Sequence, residues 1–396
     1  MSGLLPVEDA QARLLALRES LGSENIALSE SLGRYLSHDV RALRDQPSAA
    51  LSAMDGYAIR FDDLPGPWQV IGEAAAGSAP ALRVDAGQAM RIFTGALVPE
   101  GADTVIVQED VALSNGRLLL TGDGPGSRGR HIRARAIDFA VGDCLLPAGT
   151  RMTPGAIAAA AMSGAGQLAV GTRPSVAIVT TGDELVQPGR ALAPGQIPDS
   201  NGAMLAAMLA GDVADPVLPH HIPDDREKLA HVLKEMARRH DVIVTVGGAS
   251  VGDHDHVRGA LEQAGGSLDF WRIAMRPGKP VIAGRLGDAI LLGLPGNPSS
   301  AFVTATLFLL PLVRHLAGAR YPLPVAHRAP LAAALSAGGG RRDYLRARLE
   351  NGALFPLFGQ ESGLTLPLAS ANALLIREIG AAARDAGEMA DYIAVA

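Results

Sequence analysis

"DVIVTVGGASVGD", residues 241–253, runs five β-branched residues directly into a pair of glycines. An apolar run of that length, bounded by glycine, reads as a strand buried on both faces. The texture recurs in "SVAIVTTGDEL" (175–185) and in "AILLGLPGNPSSAFVTATLFLL" (289–310), which passes into a long helix. "NGAMLAAMLAG" and "DREKLAHVLKEMARRH" supply helices between these strands. Strands alternating with helices predict a largely parallel α/β sheet over residues 173–322. In such sheets ligands bind at the carboxyl ends of the strands, where all three loops fall.

Outward from this centre the texture changes. Residues 7–21 place Ala10, Leu14, Leu17 and Leu21 at helical spacing, with acids in the first turn. Residues 45–139 break into short apolar runs such as "WQVIGEA" and "DTVIVQED", and "LSNGRLLL" carries an Asn-Gly hairpin signal. "RMTPGAIAAAAMSGAGQLA" (151–169) returns to small-residue helix. The β-rich stretch is therefore an insertion: 1–44 with 140–172 form a helical first domain whose helices pack together, and 45–139 form the inserted module. Residues 323–396 read as a small β domain, with Asn351-Gly352 at the turn of "RRDYLRARLENGALFPLF".

A chain of 396 residues allows two to four domains, and a hydrophobic share of 48% supplies their cores. Lys and Arg total 35 against 41 Asp and Glu, which argues against a general nucleic-acid binder but leaves room for an anionic ligand in a locally basic pocket. The single cysteine, Cys144, excludes an internal disulfide or a cysteine-only metal site; its apolar neighbours predict a small buried hydrophobe. "MSGLLPVEDAQ" lacks a basic n-region, and the longest apolar stretch is short and contains Pro311. The expectation is a soluble cytoplasmic protein with no membrane or nucleic-acid partner.

Several loops carry candidate chemistry. "TTGDELV" presents Asp183 and Glu184 at a strand end, suited to a metal ion or a general base, or else to a helix start capped by Asp183. In "VGGASVGDHDHV", Gly247, Gly248 and Gly252 let backbone amides approach an anion and Ser250 adds a donor. Asp253, His254, Asp255 and His256 follow in a row, as metal or proton-transfer groups or as surface polarity. "GLPGNPSSAF" places Asn297 as a candidate N-cap, Pro298 at the first helical position, and Ser299 and Ser300 in the first turn: an anion site or a structural cap. "RIAMRPGKPV" contributes Arg272, Arg276 and Lys279, and "HIRAR" adds Arg133 and Arg135. Thr94 sits beside Gly95 in "RIFTGALVPEGADTVIVQED". "SAMDGYAI" (52–59) sets one carboxylate, Asp55, among small and apolar neighbours; its Asp-Gly pair reads as a turn, with or without chemistry.

Taken in order, "SAMDGYAI", "GEAAAG", "RIFTGALVPEGADTVIVQED", "TTGDEL", "IPDSNGAML", "GGASVGD", "MRPGKP" and "LPGNPSSAF" resemble the molybdopterin molybdenumtransferase family, called MoeA in bacteria and represented in animals by the E domain of gephyrin. The resemblance covers essentially the whole chain. It implies a multidomain α/β plus β architecture. An elongated subunit would carry a helical domain with an inserted β module, a parallel-sheet α/β molybdopterin-binding domain and a C-terminal small β-barrel-like domain. It further implies a homodimer whose active-site cleft is shared by both chains.

The implied reaction inserts molybdenum from molybdate into adenylylated molybdopterin and releases AMP, with Mg2+ as helper. By matching motifs, Asp55, Thr94, Asp138 and Glu184 are catalytic candidates, with Asp224 beside them. Gly247, Gly248, Ser250, Asp253, Arg276, Lys279, Pro295, Asn297, Pro298 and Ser299 are substrate-binding candidates. Asp55, Glu184 and Asp253 are the metal candidates. Contact with the adenylyltransferase that makes the nucleotide-linked pterin also follows from the resemblance. Ala249, His256 and Ala136 stand where the family usually has a larger aliphatic, an aromatic and a glycine. The adenylyltransferase itself is a rival reading, but the loop lacks its Thr-Gly-Gly-Thr-Gly signature. A tungstate-preferring paralogue and a peptide-binding scaffold of the same fold are two further rivals.

Overall fold

The strand Val242–Val246 is buried at all five positions and lies between Ser175–Thr181 and Ala289–Leu294, parallel to both. In this computed structural model residues 4–78, 82–216, 220–248 and 256–395 are described, the side chain of Trp271 aside. The sheet continues from Ala289–Leu294 to Pro280–Leu286 and then Ser267–Arg272, and here the pairing is antiparallel. Leu286 pairs with Ala289 across Gly287-Asp288, with Gly287 at a φ of 61°. Two residues suffice for a hairpin but not for the crossover a parallel neighbour needs. The sheet is thus largely parallel, as expected, with two antiparallel strands along one edge.

Both sheet faces are covered, as the apolar strands require. One side packs Leu229, Ala230 and Leu233 of the helix Arg226–Ala237 and Val257, Ala260 and Leu261 of His256–Ala264. The other receives Ser200–Ala210 and the continuous helical stretch Pro298–Leu316. That stretch is long and apolar enough to cross a membrane, yet 78% of its most apolar window is buried inside the protein, as in a core helix. It widens to π-helix over Ala305–Leu309 just before Pro311, where the ring would otherwise press on the carbonyl four residues earlier.

The first helix, Val7–Leu15, joins this second face: Val7, Ala10 and Leu14 share a core with Phe308, Leu312 and Leu316. Gln11 Nε2 donates to the Leu307 carbonyl at 2.9 Å, and Arg13 pairs with Asp269. The expected packing of this helix on Pro154–Ser163 is therefore not what the chain adopts. Ala156 and Ala160 of that second helix enter a separate core with Leu36, Val40, Met152, Leu168 and Val170. The aliphatic stripe of Val7–Leu15 demands a deep partner, whereas alanines suit the close approach of short strands. Cys144 is also a correction: it is exposed, because its strand, Cys144–Leu146, pairs among the described residues only with Val40–Arg41 and leaves one end in solvent.

The inserted module is a six-stranded sheet among the described residues, with Gly56–Ile59 between Gln88–Ile92 and Thr104–Val107. Its Asn115-Gly116 hairpin forms with φ of 47° and 78°, both positive as a two-residue hairpin turn requires. The C-terminal domain pairs Arg342–Glu350 with Ala353–Pro356 across Asn351-Gly352, and runs on through Ala373–Arg377, Met389–Ala394 and Ala326–Pro330. A bridge from Leu331 to Leu354 brings the last strand back to the first hairpin, giving the barrel-like closure expected.

Candidate active site

A concavity of about 780 Å³ opens at the carboxyl edge of the parallel strands. Thr180, Thr181, Gly182 and Glu184 bound it from one loop, Val246, Gly247 and Gly248 from the next, and Pro295, Asn297, Pro298 and Ser300 from the third. This is the place the topology selects for a ligand. After Gly182 the chain turns into a short strand, Leu185–Val186, paired with Ile197–Pro198, and not into a helix. Asp183 accepts the Asp224 amide at 3.1 Å. That bond ties Asp224 to this loop, and Glu184 and Asp224 are both lining residues of the cavity.

Glycine is obligatory in the second loop. Gly247 has a φ of 93°, and a Cβ there would stand 2.4 Å from the Thr181 carbonyl. Gly248 has a φ of 62° with a Cβ position 3.0 Å from the Thr181 hydroxyl. Backbone thus comes closer to the cavity floor than any side chain permits. The third loop departs from the expected cap. Asn297 makes no capping bond to its own helix; its amide instead donates to Ser362 Oγ at 2.8 Å. Ser299 is fully buried, donating its amide to the Ser362 carbonyl and its hydroxyl to the Leu364 carbonyl.

Two polar features here escaped sequence reasoning. Asn201, a lining residue, is buried, donates Nδ2 to the Gly296 carbonyl at 2.6 Å, and leaves a buried Oδ1 without a partner among the described residues. The hydroxyls of Thr180 and Thr181 are likewise buried and unpartnered among the described residues. Pro280 closes another side of the cavity. Next to it Lys279 is half-buried, and Arg276 beyond is exposed; neither forms an ion pair among the described residues. Ser250 and Asp253, with His254 and Asp255, lie outside the described residues.

Asp55 belongs to a different cluster. The chain bends at 53–55 and enters the strand at Gly56. Thr94, at the end of the neighbouring strand, donates its amide (2.7 Å) and its hydroxyl (2.8 Å) to Asp55 Oδ1. Those two bonds, with the nearby Arg91 charge, hold the Asp55 carboxyl below the usual carboxylate range. Arg91, absent from the candidate set, donates to Gln108 and lies over the rings of Tyr57 and Phe93. Asp138 is exposed in a bend on the return to the first domain, its amide on the Gln46 carbonyl. Asp55, Thr94 and Asp138 are not among the residues lining the Glu184 cavity. The position before Ile137, Ala136, holds a φ of 57°, the conformation glycine would adopt without strain.

Comparison with known proteins accounts for this arrangement over the full length. Residues 5–164 match the MoeA N-terminal region (domain I and II), 177–315 a probable molybdopterin binding domain, and 328–395 the MoeA C-terminal region (domain IV). A molybdopterin molybdenumtransferase of Nostoc sp. is 36% identical over 90% of this chain and 85% of its own. Those of Staphylococcus aureus strain MSSA476 and Bacillus subtilis are 31% and 34% identical, covering 98% and 78% of this chain and 95% and 74% of theirs. The crystal structure of a molybdopterin biosynthesis moeA protein from Pyrococcus horikoshii OT3 superposes with a TM-score of 0.86 at 26% identity, covering 99% of this chain and 100% of that one. On these grounds the chain belongs to the molybdopterin molybdenumtransferase (MoeA) family.

Proposed function

We propose that the protein transfers molybdenum from molybdate to adenylylated molybdopterin, releasing AMP, as a cytoplasmic homodimer supplied by the adenylyltransferase that makes the nucleotide-linked pterin. The observation that carries this reading is the cavity at the strand ends of the matched molybdopterin-binding domain, lined by Glu184, Asp224 and the backbone-tight Gly247-Gly248 loop.

The donor set fits Mg2+ held jointly with a substrate. No cluster of three or more His, Cys, Asp or Glu side chains occurs among the described residues, and Mg2+ commonly takes only one or two carboxylates, completing its shell with water and phosphate. Glu184 and Asp224 would hold it, and when bound it supplies positive charge beside the phosphoanhydride oxygens. Lys279, next in sequence to the lining residue Pro280, and Arg276 would add cationic charge that offsets the repulsion between an anionic substrate and molybdate. The glycine loop presents amides to an anion.

Asp55 stays ionised near neutrality, and both Thr94 bonds fall on Oδ1. Its second oxygen is left to orient water or to take a proton during ligand exchange on molybdate. Purified protein given adenylylated molybdopterin, molybdate and Mg2+ releases AMP at a rate that depends on molybdate. A verified substrate that yields no AMP rejects the reaction.

A further inference from the structure

We propose that Arg91 binds a tetrahedral oxyanion, molybdate or a phosphate of the adenylylated pterin, beside the Asp55 carboxylate of the inserted module. This deepens the reaction proposed above and rests on it. Asp55 carries its charge at neutral pH, so an oxyanion brought next to it is repelled unless a cation stands close by. Arg91 is such a cation: after the two Thr94 bonds, its charge is what holds the Asp55 carboxyl low. The cations proposed for the cavity, Lys279 and Arg276, belong to another domain.

The supports of Arg91 come from the same strands and turn that build the Asp55–Thr94 pair. Arg91 lies on the strand Gln88–Ile92, directly opposite Tyr57 of Gly56–Ile59. Its guanidinium carbon stands 5.0 Å from the centroid of the Tyr57 ring and 5.2 Å from that of Phe93, the residue before Thr94. Nη2 donates to Gln108 Oε1 at 2.6 Å. Gln108 in turn donates its amide to the Asp55 carbonyl at 3.1 Å and its Nε2 to Glu109 at 3.2 Å. Those bonds fix which end of the Gln108 side chain faces Arg91.

What these supports leave out is a neutralising carboxylate. Elsewhere in the module Arg83 pairs with Asp85 and Glu100, Arg128 with Asp62 and Asp103, and Arg135 with Asp45. Arg91 forms no ion pair among the described residues, although Glu73 is its neighbour on the adjoining strand. Two ring faces and one neutral amide restrict the side chain without cancelling its charge, and N–H donors remain for a ligand. The half-buried guanidinium thus offers a planar fork that matches two oxygens of a tetrahedral oxyanion. A lysine in its place is a rotatable point charge and lacks both the fork and the stacking surface.

The test measures binding of molybdate alone and of AMP alone by calorimetry, and AMP release from adenylylated molybdopterin, in the full-length protein. Binding is read at neutral pH, where Asp55 is charged with or without Arg91, so a change at Asp55 alone does not move it. Arg91→Gln weakens molybdate, AMP or both by about tenfold or more, the loss expected of charged hydrogen bonds. A loss confined to molybdate names molybdate as the oxyanion held; a loss confined to AMP names the phosphate. Arg91→Lys recovers part of the loss, and keeps the test informative where Arg91→Gln fails to fold. Arg83→Gln, which strips a carboxylate-paired arginine from the same module, leaves both Kd values in place. Arg91 variants that bind both probes like the wild type, while the wild type releases AMP, overturn the oxyanion site and leave the reaction standing. Probe binding that weakens in the variants without any AMP release by the wild type rejects the reaction and retains the site. A wild type that binds neither molybdate nor AMP overturns the site whatever its turnover.

Discussion

Asp55 illustrates how two short hydrogen bonds set a carboxylate's role. The Thr94 amide and hydroxyl both stabilise the charged form, and Arg91 adds to the effect. A carboxylate lowered in the folded state contributes stability above the unfolded value of about 3.9, and that contribution is lost as pH falls through the folded value. Asp55 is therefore charged throughout the neutral range. Thr94→Val removes one of the two bonds, so the Asp55 midpoint followed by carboxyl NMR moves upward but stays acidic. AMP release then falls modestly at neutral pH. Asp55→Asn removes the charge itself; turnover drops by about 10²–10⁴-fold with an unchanged circular dichroism spectrum. Wild-type turnover in Asp55→Asn would take this carboxylate out of the machinery.

At the scale of elements, the residue following Asp55 matters for a reason the sequence does not disclose. Gly56 opens a strand flanked on both sides, and a Cβ there would fall 1.9 Å from the Ile106 carbonyl. Its neighbour strand must separate to admit a methyl group, so Gly56→Ala destabilises the inserted module by about 1–3 kcal/mol or more, read as an earlier thermal transition. An unchanged transition would mean that the strand pair opens freely. The Asp-Gly signal itself was legible as a change of direction; the glycine's contact with a strand 50 residues away was not. The same division runs through the fold. Strands carrying β-branched runs and both Asn-Gly hairpins could be read locally, because turn chemistry and burial are written in adjacent residues. The antiparallel edge hinged on Gly287-Asp288, a two-residue signal inside a longer apolar stretch. The placement of Val7–Leu15 and the use of Asn297 by Ser362 depend on partners roughly 300 and 65 residues distant, and no local pattern encodes them. At the site, Glu184, Gly247, Gly248, Pro295, Asn297 and Pro298 converge on one cavity. Asn201 and Arg91 went unread because one looks like ordinary helix-start polarity and the other like a surface arginine.

For the whole molecule, the two carboxylate clusters pose a problem of reach. Asp55 and Thr94 close one end of the inserted sheet, whereas Glu184 and Asp224 line a cavity to which no described residue of that module contributes. A chemistry that uses both clusters is satisfied when the inserted module of one chain faces the α/β cavity of another, and a two-fold dimer supplies two such composite sites. Asp55→Asn and Glu184→Gln then complement each other. In a mixed dimer one site carries both substitutions and the other carries neither. Random re-association of equal amounts yields half mixed dimers, each with one intact site of two, so about a quarter of wild-type AMP release returns. Each variant alone remains inactive, and light scattering gives twice the 40.9 kDa chain mass for all species. Mixtures that stay as inactive as their components, despite verified exchange of chains, place both carboxylates in the service of a single chain. A monomer by light scattering rules out the shared cleft before any mixing.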